Sequence, residues 1–180
     1  HHTELNDENF LSLAALEVDL TEARQPDRDW PVLKCYHLNL VDTNPEENAA
    51  QKQGDLLPDF PYGDLESLNQ YIAKMTEMGF LVTYNHPYWS LQDWRDYNGL
   101  KGLFAMEIYN HGCEHDGLYG FNPQVYDEML RTGQRLYALA TDDNHDTNPI
   151  GHPLNDSFGG FVQIAAQELT YPAVIEALRT

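Results

Sequence analysis

Positive charge is scarce in this sequence. Its 180 residues carry 10 Lys and Arg against 29 Asp and Glu, a net charge of −19. No cluster of cations interrupts the pattern, so the surface repels a nucleic-acid duplex and an anionic membrane alike. Cysteine is nearly absent. Cys35 and Cys113 stand far apart with no C-x-x-C pair, which excludes a dense disulfide framework and makes a cytoplasmic location the expectation. No apolar run approaches the roughly 20 residues that a membrane helix needs, and no signal-peptide pattern is present. What remains is a chain that is 42% apolar and 12% aromatic, enough for one folded domain over 1–180 with a substantial core. The carboxylate excess reads as a solvated surface, or as what a site for several cations would help to offset.

Along the chain, strand and helix patterns alternate. Residues 11–20, 33–41, 80–87, 103–110, the stretch "RLYALATDDNH" (135–145) and 160–167 read as strands, mainly apolar and several ending on polar residues. In the second strand, period-2 alternation puts Tyr36, Leu38 and Leu40 on one face and Cys35, His37, Asn39 and Val41 on the other. Asp64 caps a helix whose apolar residues Leu65, Leu68, Ile72 and Met75 recur at spacings of three and four, and Gly79 stops it. A second helix opens at Asn122 and Pro123 and ends at Gly133, and a third opens at Thr170 and Pro172. Residues 42–63, rich in Pro, Asn, Asp and Gln, form a long loop, which in a compact domain is a lid or a disordered segment. Short apolar strands alternating with amphipathic helices indicate a parallel α/β architecture, an open doubly wound sheet or a closed barrel. Sites in both lie at the carboxyl ends of the strands.

Metal-ligating residue types gather at those ends. The first strand carries Glu17 and Asp19, the second His37, the third His86, the fourth Glu107 and Asn110, and the fifth Asp142, Asp143 and His145. Imidazole with carboxylate suits Zn, Mn and Fe. Two or three such ions close together can hold a phosphate, activate water and stabilise a leaving oxygen. Taken singly, each of these residues is at least as well explained by a hydrogen-bonded loop, and "DDNH" by an Asx-turn. Taken together, five suitable strand ends favour a shared metal site.

The stretches "LEVD", "YHLNL", "YNHPYWS", "MEIYN" and "TDDNH" follow one another in the order of the later motifs of the PHP (polymerase and histidinol phosphatase) superfamily, and the chain resembles that family over roughly residues 11–165. The resemblance implies a distorted (β/α)7 barrel of TIM-like type holding two or three divalent metal ions, Zn, Mn or Fe. It implies a phosphoesterase that hydrolyses a small phosphomonoester or nucleotide-type phosphate by metal-activated hydroxide. Carried over by position, Glu17, His37, His86, Asp143 and His145 match metal ligands, with Glu17 as the bridging carboxylate. Asp142 fills a slot where the family has a small or hydroxyl residue. Glu107 and Asn110 match a pattern at the pocket edge, with a structural or substrate-orienting role. The family's opening H-x-H strand and T-D-H element have no counterpart here. The expectation is therefore a barrel missing its first strands, whose open edge invites pairing into a homo-oligomer. The alternatives are an amidohydrolase-like hydrolase on the same barrel and a non-catalytic metal- or ligand-binding domain.

Several residues stay open between a site and a loop. His152 and Asp156 either touch a substrate phosphate or belong to an ordinary loop. His111, Cys113 and His115 in "NHGCEHDG" bind zinc or form a loop over the pocket. Trp89 and Trp94 stack on a base or sugar, or cover the rim. Arg95 and Lys101 are the nearest cations for a phosphate.

Overall fold

A computed structural model describes residues 2–24 and 33–180. Among these residues, five strands form one sheet in the order β1 (Ala15–Thr21), β2 (Cys35–Asp42), β3 (Phe80–Tyr84), β4 (Ala105–Asn110), β5 (Tyr137–Thr141). The helices are α1 (Pro45–Asn48), α2 (Gln53–Leu56), α3 (Leu65–Glu77), α4 (Trp94–Tyr97), α5 (His111–His115), α6 (Pro123–Arg131) and α7 (Tyr171–Arg179), and a 3-10 turn covers His2–Leu5.

The sheet is open and mixed, which corrects the expectation of a (β/α)7 barrel. β2 pairs antiparallel with both β1 and β3, while β3, β4 and β5 run parallel. A parallel barrel needs every strand to run the same way. Here β2 runs against the other four, and the chain between β2 and β3 returns it to the same sheet reversed. Closure also fails at the far side. Residues 160–165, expected as part of a strand, adopt no regular structure and make no ladder with β5. Phe161, Val162 and Ile164 are exposed there.

Alternation decides what each face of the sheet does. Tyr36, Leu38 and Leu40 of β2, Val18 and Leu20 of β1, Val82 and Tyr84 of β3 and Met106 of β4 are buried in a single cluster with Leu68, Tyr71, Ile72 and Met75 of α3 and with Val125 and Met129 of α6. The α3 stripe is the one that the spacing predicts. Asp64 caps it, accepting the Ser67 N–H at 3.1 Å and the Ser67 hydroxyl at 2.7 Å. Gly79 at φ 91° ends it in a conformation that costs a Cβ-bearing residue energy. Each fully buried Leu or Ile in such a stripe contributes about 1.5–3 kcal/mol.

The opposite face is polar toward one end. Residues directly opposed across a ladder share a face, and the registers place Glu17 beside Asn39, Asp19 beside His37 and Asn39 beside Thr83. His37 lies near the start of β2. Because β2 is reversed, its start meets the carboxyl end of β3, where Asn85 donates its N–H to the His37 carbonyl at 3.0 Å. The reversal therefore brings His37 to the same end as the residues that follow the parallel strands.

The 42–63 segment holds two single helical turns, α1 and α2. It packs Leu56, Phe60 and Tyr62 onto the core. None of its residues lines the pocket described below. No helix among the described residues is long and apolar enough to cross a membrane.

Candidate metal centre

A pocket of about 520 Å³ opens where the polar face meets the loops after β3, β4 and β5. Five carboxylates line it (Glu17, Asp116, Asp143, Asp146, Asp156) with four imidazoles (His37, His86, His115, His145), and no Lys or Arg does so among the described residues. Two groups of donors converge closely enough to share an ion. In each of the sets Glu17, His37, His86 and His86, Cys113, Asp143, all ligand atoms lie within 4.8 Å of one another.

His86 is the junction. Its side chain is 2% exposed. Its Nε2 stands 3.6 Å from Glu17 Oε1 and 3.7 Å from Asp143 Oδ2, and Glu17 Oε1 is also 3.6 Å from His37 Nδ1. These separations exceed a hydrogen bond. They approach the edge of a tetrahedron with metal–ligand bonds of 2.0–2.1 Å, about 3.3–3.4 Å. Nδ1 of His86 meets the Ser90 hydroxyl at 3.1 Å, which leaves Nε2 as the one ring nitrogen facing the pocket. The Trp89 indole packs edge-on against His86, with centroids 5.3 Å apart, and at a tilt of 47° against His37, at 5.7 Å. It thus covers the two imidazoles from the solvent side.

Buried residues hold these donors in place. The Glu107 side chain, 2% exposed, accepts the His86 backbone N–H at 2.9 Å, the Asn110 amide at 3.0 Å and the Thr141 hydroxyl. One acid thereby ties the ends of β3, β4 and β5 together. Burial raises its carboxyl above the ordinary range, against the pull of the His86 charge. Asn110, fully buried, uses the other proton of its amide on Asp143 Oδ2 at 2.9 Å and its carbonyl on the Cys113 N–H at 2.8 Å. Across the pocket, Asn85 donates to Glu17 Oε1 at 2.9 Å. Burial works against the charge on Glu17. The His86 imidazole, the Asn85 amide and His37 outweigh it and bring the carboxyl down to about 2. Burial, with the neighbouring charge of His86, lowers His37. Burial opposes the charge on His86 too, but Glu17, Glu107 and Asp143 outweigh it and raise its basicity.

Two of these residues sit in strained backbone. His86 has φ 24° and Asp143 φ 50°, a region that costs a non-glycine residue about 1–3 kcal/mol and recurs at functional sites. Gly112 allows the approach that Asp143 needs. Its N–H donates to the Asp142 carbonyl at 2.9 Å, and a Cβ there would stand 2.9 Å from the Asp143 carbonyl oxygen.

The sequence-derived residues thus separate. Glu17, His37, His86 and Asp143 come together. His145 lines the pocket but is 79% exposed, with Nε2 turned onto Asp143 Oδ1 at 3.0 Å. Glu107 and Asn110 do not line the pocket; they hold its donors from behind. His152 lies away from it, with Nδ1 accepting the Leu154 N–H at 3.1 Å. Asp142 accepts the N–H groups of Phe158, Gly159 and Gly160 at 2.6–2.8 Å. Asp156 lines the pocket, accepts from the His145 and Asp146 N–H groups and contacts His115 at 3.1 Å. Trp94 meets Tyr97 edge-on, Arg95 pairs with Asp93, and neither Trp94 nor Arg95 lines the pocket. Sequence reasoning gave no role in holding the site to Asn85 or Ser90. The only local signal was their place around "NHP".

Comparison of the chain with family models, curated proteins and solved structures gave no match.

Proposed function

We propose that this pocket is a hydrolytic metal centre acting on a small phosphorylated substrate, as the motif resemblance to the PHP superfamily implies. The observation that carries the reading is the convergence of His37 and His86 on Glu17 Oε1, each ring nitrogen 3.6 Å from it, in a pocket otherwise crowded with carboxylates. The donor set fits a divalent ion in type and spacing. Bound there, divalent ions would supply Lewis-acid stabilisation of phosphoryl oxygens and a lowered pKa for water. Their charge would also answer an electrostatic need. An anionic substrate entering a pocket lined, among the described residues, by five carboxylates and no Lys or Arg is repelled unless cations come first.

The chain's own residues have distinct tasks in this reading. Glu17, His37, His86 and Asp143 hold the ions. Glu107, Asn110, Asn85 and Ser90 fix those side chains. Trp89 shields the imidazoles from bulk water.

Metal analysis of the purified chain beside His86→Ala, paired with a panel of phosphomonoesters, amides and lactones, tests the proposal. The expected result is near-stoichiometric Zn, Mn or Fe that falls in the variant, with phosphomonoester turnover that needs the metal. Metal with amide or lactone turnover alone would point to an amidohydrolase-like enzyme. Metal without any turnover would point to a binding domain. No metal uptake by a folded chain would end the proposal.

A further inference from the structure

His86 offers the pocket a single ring nitrogen, yet two donor sets claim it. The supporting hydrogen bonds favour one of them. His86, Asp143 and Cys113 all depend on the same buried pair. Glu107 holds the His86 backbone N–H, Asn110 holds Asp143 Oδ2 and the Cys113 N–H, and Asn110 is itself bonded to Glu107. One amide side chain therefore positions a carboxylate and a cysteine together, with its far end locked. Glu17 and His37 come from β1 and β2 and share none of these bonds. Burial points the same way. Of the ligands that the two sets do not share, Cys113 is 3% exposed and the Asp143 side chain 20%, against 33% for Glu17 and 23% for His37. An ion at the inner position would exchange one water-facing ligand for a buried sulfur.

We infer that the ion held by His86 takes Asp143 and the Cys113 sulfur as its other protein ligands, and that this thiolate makes the position selective for a thiophilic divalent ion, zinc in particular, over manganese or magnesium. The inference rests on the proposed metal centre and specifies its chemistry. A His/carboxylate pocket alone does not discriminate among Zn, Mn and Fe, and a sulfur donor does. Binding deprotonates the thiol: the S–H proton leaves to solvent, the sulfur donates its lone pair to the cation, and no oxidation is involved. Glu17 and His37 remain together at the outer side of the pocket, free to flank a second ion.

The test is spectroscopic. Zinc K-edge absorption of the zinc-loaded wild-type chain should show one sulfur scatterer at about 2.3 Å beside nitrogen and oxygen ligands. Cobalt loading should give a near-ultraviolet thiolate-to-cobalt charge-transfer band that Cys113→Ser abolishes and Cys35→Ser leaves intact. The same Cys113→Ser change should lower zinc affinity by more than the roughly 10–100-fold typical of losing a supporting partner. It should leave manganese affinity within a factor of a few. Zinc or cobalt bound with only nitrogen and oxygen neighbours would overturn the Cys113 assignment and leave the metal centre standing. Failure of either metal to bind the folded chain would remove both. The same absorption measurement on Cys35→Ser, in which the sulfur scatterer should persist, assigns it to Cys113 even if Cys113→Ser does not fold.

Discussion

The pocket has two walls, and they are built differently. The inner wall, from the loops after β3, β4 and β5, is backed by a buried hydrogen-bond hub: Glu107 and Asn110 spend their polar groups on His86, Asp143, Cys113 and Thr141. The outer wall, from β1 and β2, presents Glu17 and His37 on a half-exposed sheet face, held by strand register, by Asn85 and by their own charges. The inner wall fixes geometry at a cost in desolvation, since every group in it must stay partnered. The outer wall depends on electrostatics, so pH acts on it directly. A substitution in one wall should therefore disturb folding, and in the other mainly the response to protons.

Glu107→Ala is the severest way to break that division. It strands the His86 N–H, the Asn110 amide and the Thr141 hydroxyl in the interior, at about 3–5 kcal/mol. Urea unfolding of the metal-free chain measures it. A loss below about 1 kcal/mol would mean that water replaces the acid and that the hub is not a unit.

Glu17→Gln should cost less and show a pH signature. The folded carboxyl sits at about 2 against an ordinary 4.5. Its stabilisation is fully present above pH 4.5 and is lost as the pH falls toward 2. With a third of the side chain exposed, screening leaves about 1–2 kcal/mol of it. The metal-free variant should thus be less stable than wild type at pH 6 and converge on it near pH 2. Parallel curves at all pH values would show that the charge on Glu17 contributes nothing to the outer wall. Smallest of all, His152→Ala should change neither stability beyond about 0.5 kcal/mol nor zinc affinity, since the side chain belongs to neither wall. A clear loss of zinc in isothermal titration would bring His152 into the site.

Local pattern made much of this legible. The α3 stripe, its Asp64 cap and Gly79 stop, and the two faces of β2 follow from spacing, and each is where the spacing puts it. Strand direction did not follow, because alternation is the same whichever way a strand runs. The barrel expectation failed on that point, at β2. The sequence "TDDNHD" shows a further limit. Its Asp142, Asp143 and Asp146 are chemically identical, yet Asp142 closes on the N–H groups of residues 158–160, Asp146 accepts from Asn148 and Asp156, and Asp143 alone of the three reaches His86. The choice is made by a backbone turn at φ 50° and by partners ten or more residues away. So the stretch is both a polar turn and part of the donor cluster. Cys113 was visible only as one candidate in a Gly-containing loop, because Asn110, which places it, looked like a pocket-edge residue.

The outer edge of β5 has no strand paired to it among the described residues, and the neighbouring stretch exposes Phe161, Val162 and Ile164. A bare ladder beside apolar side chains is a template on which a second copy can build. With 29 acidic side chains against 10 basic ones, every copy arrives with the same strong sign. The scarcity of cations thus acts as a guard on the unfinished sheet. It holds only as far as the field reaches, about 8 Å in physiological salt and about 3 Å in molar salt. Self-association, followed by light scattering, should therefore rise with ionic strength and appear first in molar salt.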